Sequence, residues 1–388
     1  MTFPLRGATA VVGIGETLYH KRGKAPLDED GLRLQAIVEA CEDAGVDPAD
    51  VDGFSTYGHD ADATALAPAL GTRRLRWASQ VAGGGGGGLG AALLQGATAL
   101  AMGQARYVIV YRALAQQQSG RLSAAVSSYF FDEHYRAHGL VSPAQVCALR
   151  TQRMIEHDGV PAEALRAFAQ ACYVHAGRNP LAAGRDVRLT DETYLSSRMI
   201  SEPLRLFDSS RENDGAGAVL LTTAERARDL RQTPAYVLSG AQGAGEDWGE
   251  LHENDHDYSS AGLAPLADEL WADAGIRPEQ VDVAQIYENF TGPAVAVMLD
   301  LGLVTKENIG EFLTVENLTA PGGRLPVNTA GGNIAGGFVH GIGLAAEAVR
   351  QLRGTSSNQV PGARVSLLTG GPAAPLVSAV VLGGEDTL

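Results

Sequence analysis

One fourteen-residue pattern occurs twice in this chain, and it matches without a gap. AGVDPADVDGFSTY over 44–57 is answered by AGIRPEQVDVAQIY over 274–287, so Ala44 falls on Ala274, Pro48 on Pro278, Asp52 on Asp282 and Tyr57 on Tyr287. Each copy follows an amphipathic helix pattern closed by glycine and ends in a strand. The order continues in parallel. In the first half the glycine run Gly83–Gly88 precedes a helix over 89–102 and the strand RYVIVY over 106–111. In the second, the Gly-rich stretch 331–343 precedes a helix ending at Arg353 and the strand ARVSLL over 363–368. A duplicated strand–helix–strand–glycine loop–helix–strand unit predicts two similar α/β halves packed as a pseudo-dimer, with mostly parallel, covered sheets. The halves are read as 1–225 and 226–388, the first carrying an insertion over about 113–210 that includes SSYFFDEHY and a long helix from Pro143 to His157. A segment of that size beside a core is usually functional.

The two glycine loops are where bound chemistry is expected. The stretch 326–343, PVNTAGGNIAGGFVHGIG, places six glycines directly before a helix. Glycine lets backbone approach a ligand, and a helix N-terminus offers free N–H groups. The remaining composition mainly excludes. A formal net charge of −15 and the lack of a basic stripe argue against nucleic acid. No apolar run reaches a membrane span, and MTFPLRGATAVVG lacks the pattern of a secretion signal. Three sparse cysteines, Cys41, Cys147 and Cys172, have no C-x-x-C spacing and fit a reducing cytoplasm. Each sits among apolar neighbours in a helix pattern, as a buried structural thiol does.

Other clusters read as ordinary surface or turn. His252, Asp255, His256 and Asp257 crowd HENDHDY, but nothing supplies a further ligand at a familiar spacing, so a solvated acidic loop is the reading and no metal is expected. Arg73, Arg74 and Arg76 could meet phosphates or a partner, or form a solvated turn. Gly13-x-Gly15 lacks the rest of a dinucleotide fingerprint.

Three phrases in combination carry a family resemblance: RNPLA over 178–182, SRMISEPLRLFDSSRENDGAGAVLLTT over 197–223, and the NTAGG loop that runs into EAVRQLRG. The chain resembles the thiolase superfamily over nearly its whole length, and within it the sterol-carrier-type thiolases and thiolase-like lipid-transfer proteins. The resemblance implies a thiolase fold, with two βαβαβ-type halves in a five-layer αβαβα core and an inserted loop domain. It also shows what is missing. The nucleophilic cysteine position falls on Gly86, the second cysteine on Leu368 or Thr369, the histidine of the glycine-His-Pro motif on Phe338, and the Asn or His of the NEAF-type motif on Tyr287 in YENF. Covalent acyl transfer needs a nucleophile and its base, so thiolase activity is not expected.

This loss, with a tyrosine at the NEAF position, is similar to the steroid side-chain-cleaving aldolases of the lipid-transfer type. That resemblance implies retro-aldol cleavage of a β-hydroxy acyl-CoA to a ketone and a shorter acyl-CoA such as propionyl-CoA. It implies no cofactor beyond the CoA of the substrate. It also implies a partner with an OB-fold and zinc ribbon (DUF35-type) that holds any zinc, and a homodimer that becomes a heterotetramer with that partner. The group carries a second tyrosine in a Y-I-H-G-like motif, which here reads Phe338-Val339-His340-Gly341. Tyr287 is therefore the expected base and His340 the nearest titrating acid. Gly86, Gly87, Gly336, Gly337, Phe338 and Gly341 are expected to line the substrate. Glu288 should point away from Tyr287, since strand neighbours alternate; with His134 and His138 it is a fallback base. RYVIVY is expected to be the sheet edge a partner covers. A carrier or scaffold that has lost its nucleophile stays open as the alternative.

Overall fold

The computed structural model describes residues 3–58, 60–82, 85–115, 133–245, 257–372, 374 and 376–388. Its principal strands are β1 (Thr9–Glu16), β2 (Gly53–Tyr57), β3 (Trp77–Val81), β4 (Val108–Leu114), β5 (Asn213–Thr223), β6 (Ala235–Gly243), β7 (Val283–Gln285), β8 (Val365–Gly370) and β9 (Val377–Gly383). The main helices are α1 (Glu29–Ala44), α2 (Gly88–Ala101), α3 (Pro143–Asp158), α4 (Glu163–Ala176), α5 (Ala264–Ala274), α6 (Thr291–Asp300) and α7 (Ile342–Arg353).

The repeated pattern folds alike in both copies. Gly45 and Gly275 close α1 and α5 in the left-handed region, at φ 73° and 67°, where a residue without Cβ is favoured. Short 3₁₀ turns follow at Pro48–Asp50 and Pro278–Gln280. Asp52 then accepts the backbone N–H groups of Arg106 and Tyr107, while Asp282 accepts those of Arg364 and Val365. Each aspartate ties the start of its strand to the start of the parallel neighbour. The shared Asp is therefore a structural register pin.

The strands run β7-β8-β9-β6-β1-β5-β4-β2-β3. Two half-sheets join where β1 meets β6 through only Ala10–Tyr236 and Val11–Ala235. Helices α2 and α7 contact strands of both half-sheets, while α1 covers one outer face and α5 the other. This gives the five layers, α-β-α-β-α, with α2 and α7 in the middle. The apolar side chains of the core lie on both faces of the strands, which explains their near-continuous hydrophobicity. In the second half the place of β3 is taken by a single parallel bridge, Ala284 to Val327. The Gly13-x-Gly15 pair has a packing role: a Cβ at either would lie 2.0 Å from the carbonyl oxygen of Ala40 or Ala36, so glycine lets α1 lie directly on β1.

Two expectations are corrected. The sheet is mixed, not mostly parallel: β2–β3, β2–β4 and β7–β8 run parallel, whereas β1–β5, β1–β6, β4–β5, β6–β9 and β8–β9 run antiparallel, because β5 and β9 return beside their neighbours. RYVIVY forms β4, which is hydrogen-bonded on both sides, to β5 and to β2. It is apolar because it is interior. The edge of this half-sheet is β3, WASQV. The insertion's helices α3 and α4 lie against α6, and α4 also backs the second glycine loop. Most of SSYFFDEHY and His252, Asp255 and His256 fall outside the described residues.

Candidate active site

The two central helices begin side by side, and Tyr287 stands between their N-termini. Gly85–Gly87 makes a 3₁₀ turn into α2, and Gly341, at φ 83°, caps α7. A Cβ on Gly86 would lie 2.1 Å from Tyr287 Cε2 and 2.3 Å from its hydroxyl; a Cβ on Gly341 would lie 2.6 Å from Cδ2. The phenol ring thus fills the volume that a side chain at Gly86 would need. Its main chain is fixed from the other side, where Tyr287 N–H donates to Thr369 Oγ1 at 2.9 Å. Thr369 thus holds the backbone, and neither it nor Leu368 offers a thiol.

Loop glycines let the remaining walls close. Gly371 sits at φ 71°, and its Cβ would meet Gly87 Cα at 2.6 Å. Ser378 on β9 donates to Gly87 O at 2.6 Å and accepts from Gly90 N–H at 3.0 Å. The end of β8, its loop and β9 therefore clamp the first turn of α2. The N–H groups at that turn and at the start of α7 favour negative charge beside the Tyr287 ring.

The phenol is not held as a phenolate in the free protein. Burial pushes its pKa above the ordinary tyrosine value, Glu288 adds to the push, and Arg112 opposes it. Glu288 faces the other way, as alternation requires. Its Oε1 accepts Ile334 N–H at 3.1 Å and its Oε2 accepts Asn333 Nδ2 at 3.3 Å. Burial raises this carboxyl to about 8, against the lowering by the backbone N–H groups around it, that of Ile334 first, and by the Asn328 amide. Gly332, at φ 61°, leaves room for it, since a Cβ there would be 1.9 Å from Oε1.

His340 lies on the far side of the Gly341 turn at φ 47°. Its carbonyl accepts Tyr57 Oη at 2.9 Å, and its ring meets the Phe338 ring edge-on at 5.2 Å between centroids. Arg112 Nε donates to His340 Nδ1 at 3.0 Å, and Arg112 is itself paired with Asp60 at 3.0 Å. Burial first, then Arg112, holds the imidazole well below its ordinary pKa.

The expected residues therefore divide. Tyr287, Gly86 and Gly341 meet, with Phe338 and His340 alongside. Gly87 packs under Leu376 O. Gly336 and Gly337 turn instead to the RNPLA side: Gly336 O accepts Ala183 N–H at 2.6 Å, and Gly337 lies flat on the Tyr19 ring. RNPLA itself anchors the second loop, through Asn179 Nδ2 to Ala330 O at 2.9 Å and Arg178 to Ala320 O at 3.2 Å. The long shared phrase does similar work. Asp208 accepts Tyr194 Oη at 2.8 Å and Thr291 Oγ1 at 2.7 Å, fixing the start of α6 just after YENF. Arg73 is paired with Asp47 and Asp50, and Arg76 with Asp52, so that arginine cluster is largely satisfied. His138 is in an exposed turn, and the His134 side chain is outside the description. Among the described residues no cluster of His, Cys, Asp or Glu could hold a metal. Arg112 and Asp60 escaped the sequence reading, although one arginine inside the apolar run YVIVYRAL was a visible signal.

The family described as Thiolase C-terminal domain-like matches residues 244–382. The chain is 36% identical to 17-hydroxy-3-oxo-4-pregnene-20-carboxyl-CoA lyase of Mycobacterium tuberculosis, covering 98% of this chain and 100% of that protein. It is 34% identical to a steroid side-chain-cleaving aldolase of Thermomonospora curvata, covering 98% and 99%. The solved Ltp2-ChsH2(DUF35) aldolase superposes with a TM-score of 0.89 at 32% identity, over 99% of this chain and 100% of that one. Human mitochondrial 3-ketoacyl-CoA thiolase, at 17% identity and a TM-score of 0.71 over 98% and 99%, shares the fold.

Proposed function

The chain belongs to the steroid side-chain-cleaving aldolases of thiolase fold, and from that premise we propose that it is a carbon–carbon lyase acting on a β-hydroxy acyl-CoA with a bulky, steroid-type group. It is not a functional thiolase. The observation that carries this reading is the exchange at Gly86: the place of a nucleophile's side chain is filled by the Tyr287 ring.

The reaction needs no covalent intermediate. A base takes the β-hydroxyl proton, the O–H pair becomes the new carbonyl, the Cα–Cβ bond breaks, and its electrons pass into the thioester enolate. Protonation at Cα then releases the shorter acyl-CoA, such as propionyl-CoA. Tyr287 is the proposed proton-transfer group, and the two helix N-termini beside it are placed to favour the enolate's negative charge. Because burial raises the phenol, the base form becomes more populated as pH rises. A rate limited by Tyr287 as base therefore gives a kcat/KM that climbs through neutral pH toward the alkaline side. Tyr287→Phe is expected to lower turnover at least about a hundredfold with substrate binding nearly unchanged.

A homodimer is part of the same proposal, as is a heterotetramer with an OB-fold, zinc-ribbon partner; the DUF35 component in the name of the matching aldolase structure supports that partner class. Among the described residues no helix is long and apolar enough to cross a membrane. Three buried cysteines, none of them in a disulfide, support a cytoplasmic setting. The test is to incubate the purified protein, with and without that partner, with a steroid-type β-hydroxy acyl-CoA. Release of a ketone and a shorter acyl-CoA is expected. Saturable binding with no turnover under either condition would favour the carrier reading instead.

A further inference from the structure

We propose that His340 serves this reaction as a neutral hydrogen-bond donor through Nε2–H, with Arg112 as the positioning residue that fixes its tautomer, and not as the acid that protonates the enolate. The inference rests on the lyase reading for its chemistry, but its structural half stands on the free protein.

Arg112 carries a guanidinium. It has N–H donors and no acceptor. Arg112 Nε lies 3.0 Å from His340 Nδ1, so Nδ1 must present its lone pair and the ring proton must sit on Nε2. Arg112 has little freedom to turn away. Its side chain is 3% exposed and is paired at 3.0 Å with Asp60, whose side chain is fully buried. Asp60 in turn accepts Arg33 Nε at 2.7 Å, Ala61 N–H at 2.7 Å and Ala113 N–H at 3.0 Å. The histidine is fixed from its own side as well, by the Tyr57 bond to its carbonyl and by the Phe338 ring. What remains free to act is Nε2, which lies 3.9 Å from where a Cβ on Gly85 would stand. It therefore faces the Gly85–Gly87 turn, against which the Tyr287 ring packs.

A proton-donating role fits this environment poorly. Among the described residues the charged and titratable groups around the ring are Arg112 from β4, Asp60 behind it, Tyr57 from β2 and Tyr287 beyond β7. Burial keeps both tyrosines neutral, and Asp60 is already engaged by two arginines. Among the described residues a second cation against Arg112 would have no carboxylate of its own. A neutral imidazole is a far weaker acid than an imidazolium, but its N–H is well suited to donate a hydrogen bond to an oxygen that gains charge. The thioester oxygen is that oxygen as the Cα–Cβ bond breaks.

Selective ¹⁵N labelling of histidine gives the direct test. In the full-length protein the His340 ring, assigned by its loss in His340→Gln, should show a single Nε2–H tautomer from pH 5 to pH 9. Titration within that range, or an Nδ1–H tautomer, overturns the proposal. Arg112→Met should let the ring sample both tautomers and titrate, while Arg112→Lys, which keeps a donor, restores the lock; a ring still locked in Arg112→Met overturns the role of Arg112. Should Arg112→Met not fold, turnover decides. His340→Ala should lose about 10- to 100-fold, the worth of a hydrogen bond to a charged group. His340→Gln, whose amide N–H reaches near the Nε2 position, should recover much of that loss; equal damage from Gln and Ala overturns the donor role. The tautomer measurement needs no substrate. A protein with the lock but no lyase activity would therefore count against the proposed function and leave the lock standing.

Discussion

Tyr287 and Glu288 are neighbours in the chain and face opposite ways, and each is protonated at neutral pH for the same reason, burial. Their tasks differ. The tyrosine stands where the helices begin, whereas the glutamate holds the second glycine loop by accepting Ile334 N–H and Asn333 Nδ2. That Glu288 would point away was legible from strand alternation; its loop-holding role was not, because it depends on the 332–336 turn folding back over it. Among the described residues Asn333 Oδ1 has no partner, so a protonated Glu288 has a waiting acceptor once that amide turns over. The stability consequence has a definite sign. A carboxyl raised from an unfolded value of about 4.3 to about 8 contributes stability as the neutral acid. That contribution is complete below the unfolded pKa and is lost as pH rises to about 8. Glu288→Gln is neutral at every pH, so its melting temperature should fall less than the parent's between pH 5 and pH 8. Glu288→Ala should be destabilised at both, since each stranded amide costs about 1–3 kcal/mol. If the melting temperatures of the parent and of Glu288→Gln change in parallel across that range, Glu288 is not the titrating group.

At the scale of elements, the two glycine loops are legible as places of close approach, and the structure says what approaches. At Gly86 it is an aromatic ring, at Gly87 a carbonyl, at Gly332 a carboxylate and at Gly337 the Tyr19 ring. Sequence marks the need for small residues but not the neighbour, because the neighbours come from strands and loops 100 or more residues away in most of these cases. That is why Gly336 and Gly337 read as substrate-lining yet pack on the RNPLA side. The element-level prediction concerns the start of α2. Gly86→Ala and Gly86→Cys each place a Cβ within 2.3 Å of the Tyr287 ring, so the ring must leave its seat. Both variants should lose lyase turnover in step with Tyr287→Phe, with far-UV circular dichroism unchanged. Gly86→Cys should not gain thiolysis, because Phe338 and Thr369 supply neither an activating base nor a second thiol. Normal cleavage by Gly86→Ala would show that the ring position does not matter.

At the scale of the whole molecule, the duplicated halves were legible because the repeat carries its own register pins, Asp52 and Asp282, and its own helix stops, Gly45 and Gly275. The sheet edge was not legible. An apolar run such as RYVIVY looks the same whether a partner chain or the protein's own strands cover it, and here β2 and β5 do so. Among the described residues the open edge is β3, whose residues alternate in exposure, with Ala78 and Gln80 outward. Beside it lies an open cleft lined in part by Phe3, Leu5, Trp77 and Leu94. An unpaired strand flanked by apolar side chains is a template for another strand, and a twofold copy of β3 pairing antiparallel would join two of these sheets into one. The chain's formal net charge of −15 works against such self-association at low salt, so the dimer should tighten as ionic strength rises. Sedimentation at micromolar concentration in moderate salt should give twice the chain mass of 40.5 kDa. Ala78→Lys puts a long charged side chain on the exposed edge, a device that natural edge strands use against pairing, and should sediment at the single-chain mass. A parent that is a monomer under these conditions, or an Ala78→Lys protein that stays dimeric, would rule out β3 as the seam.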